Sequence, residues 1–252
     1  MPFLNSVRDG KVFFLRSYMD FNMKLNKRMT ISAVAILVSC NVLAAESVID
    51  LRHDYFDDGK INKDRIYFAH RFDNQFGFSV ETRYKSSGDD ANEPFNELDN
   101  NGSEATISYR FILNPKMYLI PAFNIDSNSG NTIYKPNLLL GTILGNGFYL
   151  NLRYRYDYTL QDNEDLNNKA TGRYDAWLGY KTGDWKFEYN FVYLHANTDI
   201  YNESHADYEH DMKVAYSVTK NWAPYIEIGN VSVNRLQDDR QTRFRIGFQY
   251  TY

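Results

Sequence analysis

Cysteine and proline are scarce in this sequence, and most of it lacks long apolar runs. Only one cysteine, Cys40, and six prolines occur among the 252 residues. A chain without paired cysteines cannot be a disulfide-stapled scaffold. Beyond residue 45, no segment approaches the roughly 20 consecutive apolar residues that a membrane-spanning helix needs. Stability must therefore come from another source, such as a closed hydrogen-bonded sheet.

The one apolar run lies near the start of the chain. A basic stretch at residues 24–28 precedes a mostly apolar stretch at 30–43, and Ala44 and Ala45 follow. This layout is that of a secretory signal peptide and predicts cleavage after Ala44 or Ala45. Residues 37–40 also fit a lipoprotein signal that would be lipidated at Cys40, and this alternative stays open.

These signals predict three segments. Residues 1–22 are interpreted as an upstream extension of a mis-assigned start, because Met23 opens the signal peptide. Residues 23–45 are the predicted signal peptide, and residues 46–252 the mature domain. Residues 1–45 contribute a net charge of +4 to the total of −4, which leaves −8 for residues 46–252. A net acidic chain is a poor candidate for nucleic-acid binding.

Motifs for metals and cofactors are missing from the sequence. It contains no metal-type Cys/His cluster, no phosphate-binding loop and no nucleophile elbow. The stretch Asp57–Gly59 and the acidic segment 86–104 lack the full spacing of a calcium loop, so we interpret both as solvated loops. We therefore expect neither a metal site nor a cofactor.

Apolar and polar residues alternate strictly over much of residues 46–252. Alternation with period two is the signature of a β-strand with two different faces. Most of the segments run about 9–11 residues, the length of a tilted membrane strand. The twelve segments are 47–56, 64–72, 76–85, 104–113, 116–125, 132–142, 147–159, 171–181, 184–195, 207–218, 222–232 and 242–252.

The two faces of these segments differ in charge. If the apolar side of each segment is taken as outward, we expect no Asp, Glu, Lys or Arg on it. The titratable outward residues are then tyrosines and His53, His70, His195 and His210. The outward side is rich in Tyr, Phe and Trp near segment ends, as in the aromatic girdles of outer-membrane barrels, whereas a soluble sandwich core prefers Val, Ile and Leu.

Connection lengths give an independent indication. Short links follow the even-numbered segments, and mostly longer polar links follow the odd-numbered ones. This is the pattern of an up-and-down barrel with periplasmic turns at one end and extracellular loops at the other. Because backbone groups in hydrocarbon need internal partners, the sheet must close. The predicted fold is all-β, a 12-stranded antiparallel transmembrane β-barrel in the outer membrane of a Gram-negative cell.

The inward face carries 16 basic and 10 acidic residues. An excess of positive charge in a low-dielectric tube concentrates anions and excludes cations. Arginine predominates, and its planar fork pairs with carboxylates. The candidate pore-lining, substrate-binding residues are Arg52, Arg65, Arg71, Arg83, Arg110, Lys135, Arg153, Arg155, Arg173, Lys213, Arg243 and Arg245.

Other interpretations of the barrel stay open. The inward charges could serve only to neutralise one another across the lumen. An outer-membrane barrel hydrolase would need a Ser/His/Asn or Asp/His site, but the four outward histidines lie on different segments with no evident partners. A structural or adhesive barrel would act through its acidic loops. No catalytic residue is predicted, and the chain is interpreted as a non-enzyme.

Nine short segments of the predicted mature domain carry the motifs of a known family. They are Asp64–Ile66, Ala69–Phe72, Phe76–Phe78, Pro94–Glu97, Asn101–Glu104, Leu152–Arg155, Asn221–Trp222, Pro224–Ser232 and Arg240–Arg245. These segments resemble the KdgM-type oligogalacturonate-specific porins, and Arg240–Arg245 is the most specific match. The resemblance covers residues 46–252 and is thinner around 160–206.

This resemblance implies a monomeric twelve-stranded outer-membrane channel that takes up acidic oligosaccharides from pectin breakdown. A sister branch of the family passes sialic acid, and segments 94–97 and 226–232 favour the oligogalacturonate branch. Lipid and lipopolysaccharide would surround the barrel. The final strand, which ends on the aromatic Tyr252, is similar to the signal that the barrel-assembly machinery recognises in outer-membrane proteins.

Overall fold

A computed structural model describes residues 46–163 and 165–252, and this part of the chain is built from antiparallel β-strands. The predicted signal peptide, its cleavage site and Cys40 lie outside the described residues. The strands are β1 (Glu46–Phe56), β2 (Ile61–Arg71), β3 (Phe76–Lys85), β4 (Asp99–Tyr109), β5 (Phe111–Asn114), β6 (Met117–Ser127), β7 (Asn131–Gly145), β8 (Phe148–Gln161), β9 (Lys169–Thr182), β10 (Trp185–Ala196), β11 (Ala206–Tyr216), β12 (Trp222–Ser232) and β13 (Arg240–Thr251).

Each strand pairs with its neighbours in sequence, except that β4 and β5 do not pair with each other, and two further pairings close the sheet. Strand β1 pairs with β13, and β4 pairs with β6. The short strand β5 continues β4 beyond Arg110 and pairs with the same neighbour, β6, without a change of register between them. The thirteen segments therefore form twelve staves, and the predicted closed 12-stranded antiparallel barrel is confirmed.

The closing seam joins the two ends of the described chain. Backbone amide and carbonyl groups of Ser47 and Tyr252 exchange two hydrogen bonds, of 2.9 and 3.0 Å. Nine further residue pairs continue the β1–β13 ladder as far as Phe56 and Arg243. Each of the twelve staves thus has a paired neighbour on both sides, as backbone groups in lipid require, although β5 itself pairs only with β6.

The interior and exterior of the barrel are inverted relative to those of a soluble domain. The residues most shielded from solvent include charged side chains on the inward face, such as Asp50, Asp126 and Asp175. Large apolar side chains on the outward face, such as Ile226 and Ile246, are more than half exposed. This arrangement suits a surface that meets acyl chains outside and polar groups inside.

One outward residue contradicts the expected charge-free exterior. Asp64 is the register partner of His53, and its carboxylate lies 2.9 Å from the His53 Nδ1 on the outward face. The prediction that no acidic or basic side chain faces outward is therefore wrong at this position. His53 lies three residues before the end of β1, close to the long-loop end of the barrel, where a hydrogen-bonded polar pair can keep contact with water.

Several strands are longer than the alternation predicted. Strand β2 begins at Ile61, β4 begins at Asp99 and β7 extends to Gly145. Alternation ends where the outward face leaves the apolar zone, but backbone pairing continues: Asn62 still pairs with Tyr55. The alternating pattern therefore marks the apolar zone of each strand rather than its full length.

The alternation of short and long links is present, with two exceptions. The short links at one end are 72–75, 115–116, 146–147, 183–184 and 217–221. At the other end, 86–98, 162–168, 197–205 and 233–239 are longer, but 57–60 and 128–130 are also short. Among the described residues, no helix is long and apolar enough to cross a bilayer.

Candidate functional site: the barrel lumen

Three adjacent strands place arginines side by side on the inward wall. Arg65 on β2 is the register partner of both Arg52 on β1 and Arg83 on β3. Like charges directly opposite each other repel, and neighbouring carboxylates offset this repulsion. Arg65 lies 2.6 Å from Asp50 and 3.4 Å from Glu81.

The flanking arginines of this row have acidic partners of their own. Arg52 lies 2.7 Å from Asp54, and Arg83 binds Asp126 on β6. Lys135 on β7 lies 2.5 Å from the other Asp126 oxygen. Charge-assisted hydrogen bonds of this kind hold side chains in fixed positions, so this part of the lumen wall is an ordered ion-pair network.

A second arginine cluster lies on β8 and β9. Arg155 is the register partner of Arg173, and Arg153 is the partner of Asp175. The Asp175 carboxylate is fully shielded from solvent and accepts bonds from Arg153 and Arg173 at 2.9 and 2.8 Å. Arg155 binds Asp157 through two bonds of 2.7 Å. Since two guanidinium groups share Asp175, this cluster has a positive excess.

The last strand contributes a third group. Arg243 lies 2.6 Å from Asp211 and 3.6 Å from Glu209 on β11. Arg245 binds Glu227 and lies 3.3 Å from Asp54. These contacts connect β13 with strands on both of its sides and therefore brace the closing seam from within.

Three of the twelve candidate residues make no ion pair with any residue in the described part of the chain: Arg71, Arg110 and Lys213. Arg71 donates to the Gln75 carbonyl at 2.8 Å. The Arg110 guanidinium and the Lys213 ammonium instead lie over aromatic rings, Arg110 at 5.4 Å from the Tyr118 centroid and Lys213 at 3.6 Å from that of Tyr225.

The first two arginine clusters face each other across the lumen. In the ring of twelve staves, β2 and β9 are six staves apart in either direction, which is half of the circumference. A cavity of about 430 Å³ reaches both walls and is lined by Arg65, Arg71, Arg110 and Arg153. Four of the predicted pore residues, from three different staves, therefore meet at one internal space.

Sequence reasoning missed a set of aromatic residues on the inward face. Each of them has a cationic group of a lysine or arginine over its ring, at 3.6–5.9 Å from the ring centroid, within the range of cation–π attraction. They are Tyr67, Tyr118, Tyr149, Trp177 and Tyr225. Their position on the polar side of each alternating segment was the signal that could have found them.

Three of the four outward histidines have partners that the alternation pattern did not reveal, and one of them is His210, whose Nδ1 hydrogen-bonds the Tyr189 hydroxyl. His53 pairs with Asp64, as described above, and the His70 Nδ1 lies 2.8 Å from the Ser47 hydroxyl. The Ser47 residue is only 2% exposed, and the His70 Nε2 has no hydrogen-bond partner among the described residues. A serine nucleophile needs access and a third group that orients the histidine, so this pair has the features of a structural contact.

Comparison with known proteins agrees with this architecture. The model of the family described as oligogalacturonate-specific porin protein (KdgM) matches residues 38–252. The oligogalacturonate-specific porin KdgM of Dickeya dadantii is 36% identical over 231 residues, which cover 87% of this chain and 97% of that protein. An uncharacterized protein, YiiY, of Salmonella typhimurium is 38% identical over 205 residues, covering 81% and 89% of the two chains.

Solved structures show the same fold. The NanC porin superimposes with a TM-score of 0.69 at 19% identity and covers 80% of this chain and 98% of its own. The KdgM porin, solved in complex with disordered oligogalacturonate, has a TM-score of 0.60 at 29% identity and covers 81% and 99%. The chain is therefore an outer-membrane β-barrel, and it belongs to the KdgM family of porins.

Proposed function

We propose that this porin is a passive, anion-selective channel for acidic oligosaccharides. The observation that carries the proposal is the pair of arginine clusters on opposite walls, with Arg65 and Arg153 lining one internal cavity. Polyanions entering this space meet guanidinium groups from both sides. Converging cations in a low-dielectric passage raise the local concentration of anions.

Internal ion pairs limit how much free charge the lumen offers. Nine of the twelve candidate residues contact acidic side chains, so neutralisation accounts for part of the arrangement. The excess comes from shared carboxylates, such as Asp175, and from Arg71 and Arg110. A chain of carboxylates can exchange partners with these arginines stepwise, because each guanidinium has five donors.

The proposed solute class is oligogalacturonate. The support comes from the relatives: the Dickeya dadantii porin carries this specificity in its name, and a KdgM porin structure was solved with oligogalacturonate. NanC, at 19% identity, informs only the fold. A sialic-acid channel is the alternative, and competition between the two sugars in a flux assay distinguishes them.

The non-enzymatic role belongs to the same proposal. The relatives named above with a known activity are porins, and the Ser47–His70 contact is shielded from solvent. We expect His70→Ala and His53→Ala barrels to show the same ester and peptide hydrolysis as the wild type, at background level. Loss of a measurable hydrolytic rate in either variant would contradict a pure channel.

Maturation and assembly complete the proposal. Residues 46–252 form the mature monomeric barrel after removal of residues 23–45, and the last strand, ending at Tyr252, is what the assembly machinery recognises. The mass of the protein extracted from outer membranes tests the cleavage site. A mass that begins at Cys40 with attached acyl chains would support lipidation instead.

The reversal potential across a tenfold KCl gradient tests the channel. We expect anion selectivity for the wild type, and a marked shift toward zero for the double variant Arg71→Gln/Arg110→Gln, because both side chains lack acidic partners among the described residues. The matched control, Lys60→Gln/Lys220→Gln, removes the same charge from exposed links and should leave the potential nearly unchanged. Cation selectivity of the wild type would overturn the proposed function.

A further inference from the structure

A second cavity lies at the short-link end of the barrel, which we assign to the periplasmic side. It has a volume of about 450 Å³ and is lined by residues of β6 to β10 and the link 146–147. Its polar and aromatic lining includes Tyr118, Tyr149, Asn151, Lys181, Lys186 and Glu188. The volume falls in the usual range of small-molecule sites, and none of the twelve candidate pore residues lines this cavity.

Two tyrosine rings lie against the wall of this cavity. Tyr118 is the register partner of Gly141, and Tyr149 that of Gly179. A methyl group added to either glycine would overlap the partner ring, so each ring lies directly over the glycine backbone. This cross-strand packing of an aromatic ring on a glycine fixes the ring. Because both tyrosines are only partly shielded, their rings can contact a guest in the cavity.

Two lysine ammonium groups lie near the Tyr149 ring. The Lys181 and Lys186 ammonium groups lie 5.9 and 5.5 Å from its centroid. Glu188 accepts a hydrogen bond from the Tyr149 hydroxyl and lies 3.2 Å from Lys186. Lys181 has no acidic partner among residues 46–163 and 165–252, and its exposed side chain is available to an external carboxylate.

The far side of the cavity offers further polar groups. The Tyr118 hydroxyl donates to Asn151 Oδ1 at 3.2 Å, which leaves the Asn151 amide hydrogens available as donors. A pyranose ring of a sugar acid has an apolar face of C–H groups and an edge that carries hydroxyls and a carboxylate. The three groups of the cavity match the sugar acid part by part: the flat aromatic ring matches its C–H face, the free ammonium group its carboxylate, and the amide its hydroxyls.

We propose that this cavity is a periplasmic-side subsite that holds one sugar-acid unit, with the ring stacked on Tyr149 and its carboxylate at Lys181. The proposal rests on the proposed function and adds a second kind of recognition. The arginine clusters select charge alone, whereas this subsite requires a charged pyranose. A neutral disaccharide and an acyclic dicarboxylate should each bind more weakly here than digalacturonate.

Single-channel recording tests the subsite. Digalacturonate, lactose and glutarate are added in turn to the side that faces the short links, and the duration of each current block is measured. We expect Tyr149→Leu to shorten digalacturonate blocks about threefold to tenfold, as the loss of one aromatic contact implies, and Lys181→Gln to shorten them similarly. The matched control, Lys220→Gln, removes a charge from a short link outside the cavity and should leave the block duration unchanged.

Further variants separate stacking from other effects. Tyr149→Phe keeps the ring, so digalacturonate should block this variant for as long as it blocks the wild type. If the block duration falls equally in the Phe and Leu variants, the effect belongs to the hydrogen bond with Glu188, and the proposal is overturned. If the Tyr149→Leu protein does not insert into the membrane, Tyr118→Leu provides the same test from the opposite wall of the cavity. We expect it to shorten digalacturonate blocks, and blocks of unchanged duration would contradict the subsite.

The two proposals fail in different ways. If the wild-type channel is anion-selective but Tyr149→Leu and Lys181→Gln leave the duration of its digalacturonate blocks unchanged, the subsite is refuted and the proposed function stands. Glutarate blocks as long as those of digalacturonate would also refute it, since charge alone would then explain binding. A cation-selective wild type would refute the proposed function itself.

Discussion

At the scale of single residues, shared carboxylates are the main feature of the lumen. Asp175 receives Arg153 and Arg173, and Asp54 receives Arg52 and Arg245. A carboxylate has about four lone-pair sites and can bind two guanidinium groups at once. Sharing lets few acidic groups order many arginines, and it leaves the wall positively charged where the arginines cluster.

Asp175→Asn is expected to lower the free energy of unfolding by about 2–3 kcal/mol, because two shielded guanidinium groups lose a charged acceptor. Urea unfolding of the barrel in detergent micelles measures this loss. The same variant makes the lumen more positive by one charge, so the reversal potential should move further toward anion selectivity.

The control for this variant is Asp73→Asn, which makes the same change in a short exposed link. It should alter stability by less than about 0.5 kcal/mol. An Asp175→Asn barrel as stable as this control would show that water, rather than the carboxylate, satisfies the two arginines.

At the scale of elements, tight links at one end set the register of neighbouring strands. The β7–β8 link has positive φ at Asn146 (51°) and Gly147 (86°), a region that L residues rarely adopt. The Gly147 carbonyl accepts the Lys181 amide at 2.9 Å, so the link also ties β8 to β9 at the rim of the proposed subsite.

Gly147→Ala is expected to destabilise the barrel by about 1–3 kcal/mol, since the new methyl group would combine positive φ with a clash against the Lys181 carbonyl. The midpoint of heat-dependent loss of the fast-migrating folded band on gels measures this effect. Gly130→Ala is the matched control, because nothing lies within 4 Å of its added Cβ. Equal midpoints for both variants would show that the link adapts freely.

At the scale of the whole molecule, the barrel reverses the usual partition of side chains. Ion pairs occupy the interior, and aromatic and aliphatic groups form the exterior, where Trp222 lies 5.6 Å from Phe248 and Trp185 lies 4.8 Å from Tyr216 between ring centroids. Such a surface is stable only when lipid or detergent covers it.

A pair of substitutions on β13 tests this partition. Ile246 is 61% exposed on the outward face near the middle of the strand, and Gln249 faces inward on the same strand. Ile246→Arg should cost about 2–4 kcal/mol of stability in lipid vesicles, because an arginine at mid-membrane loses its hydration.

Gln249→Arg adds the same group to the aqueous side and should cost less than about 1 kcal/mol. Reversible denaturant unfolding in vesicles compares the two. A larger cost at Gln249 than at Ile246 would show that the assignment of the two faces is reversed.

The sequence predicted the strands correctly where one face meets lipid and the other meets water. The segment 242–252 is an example, because Phe244, Ile246 and Phe248 alternate with Arg243 and Arg245, and β13 follows that pattern. The prediction was less accurate at strand ends: Asn62 stands on the outward side of β2, where it is only 1% exposed and donates to the Asn92 carbonyl of the long link 86–98, so alternation stops there although the strand continues. It was wrong for Asp64, whose partner His53 lies on another strand.

By itself, the sequence determined the fold class, the two faces of each strand and the alternation of link lengths, because these depend on periodicity along one chain. Only the tertiary structure decided which charges meet. Closure and stagger of the barrel bring Arg83 to Asp126, Arg243 to Asp211, and Tyr149 to Gly179. Such pairings depend on the register between strands, which period-two alternation leaves open to shifts of two residues.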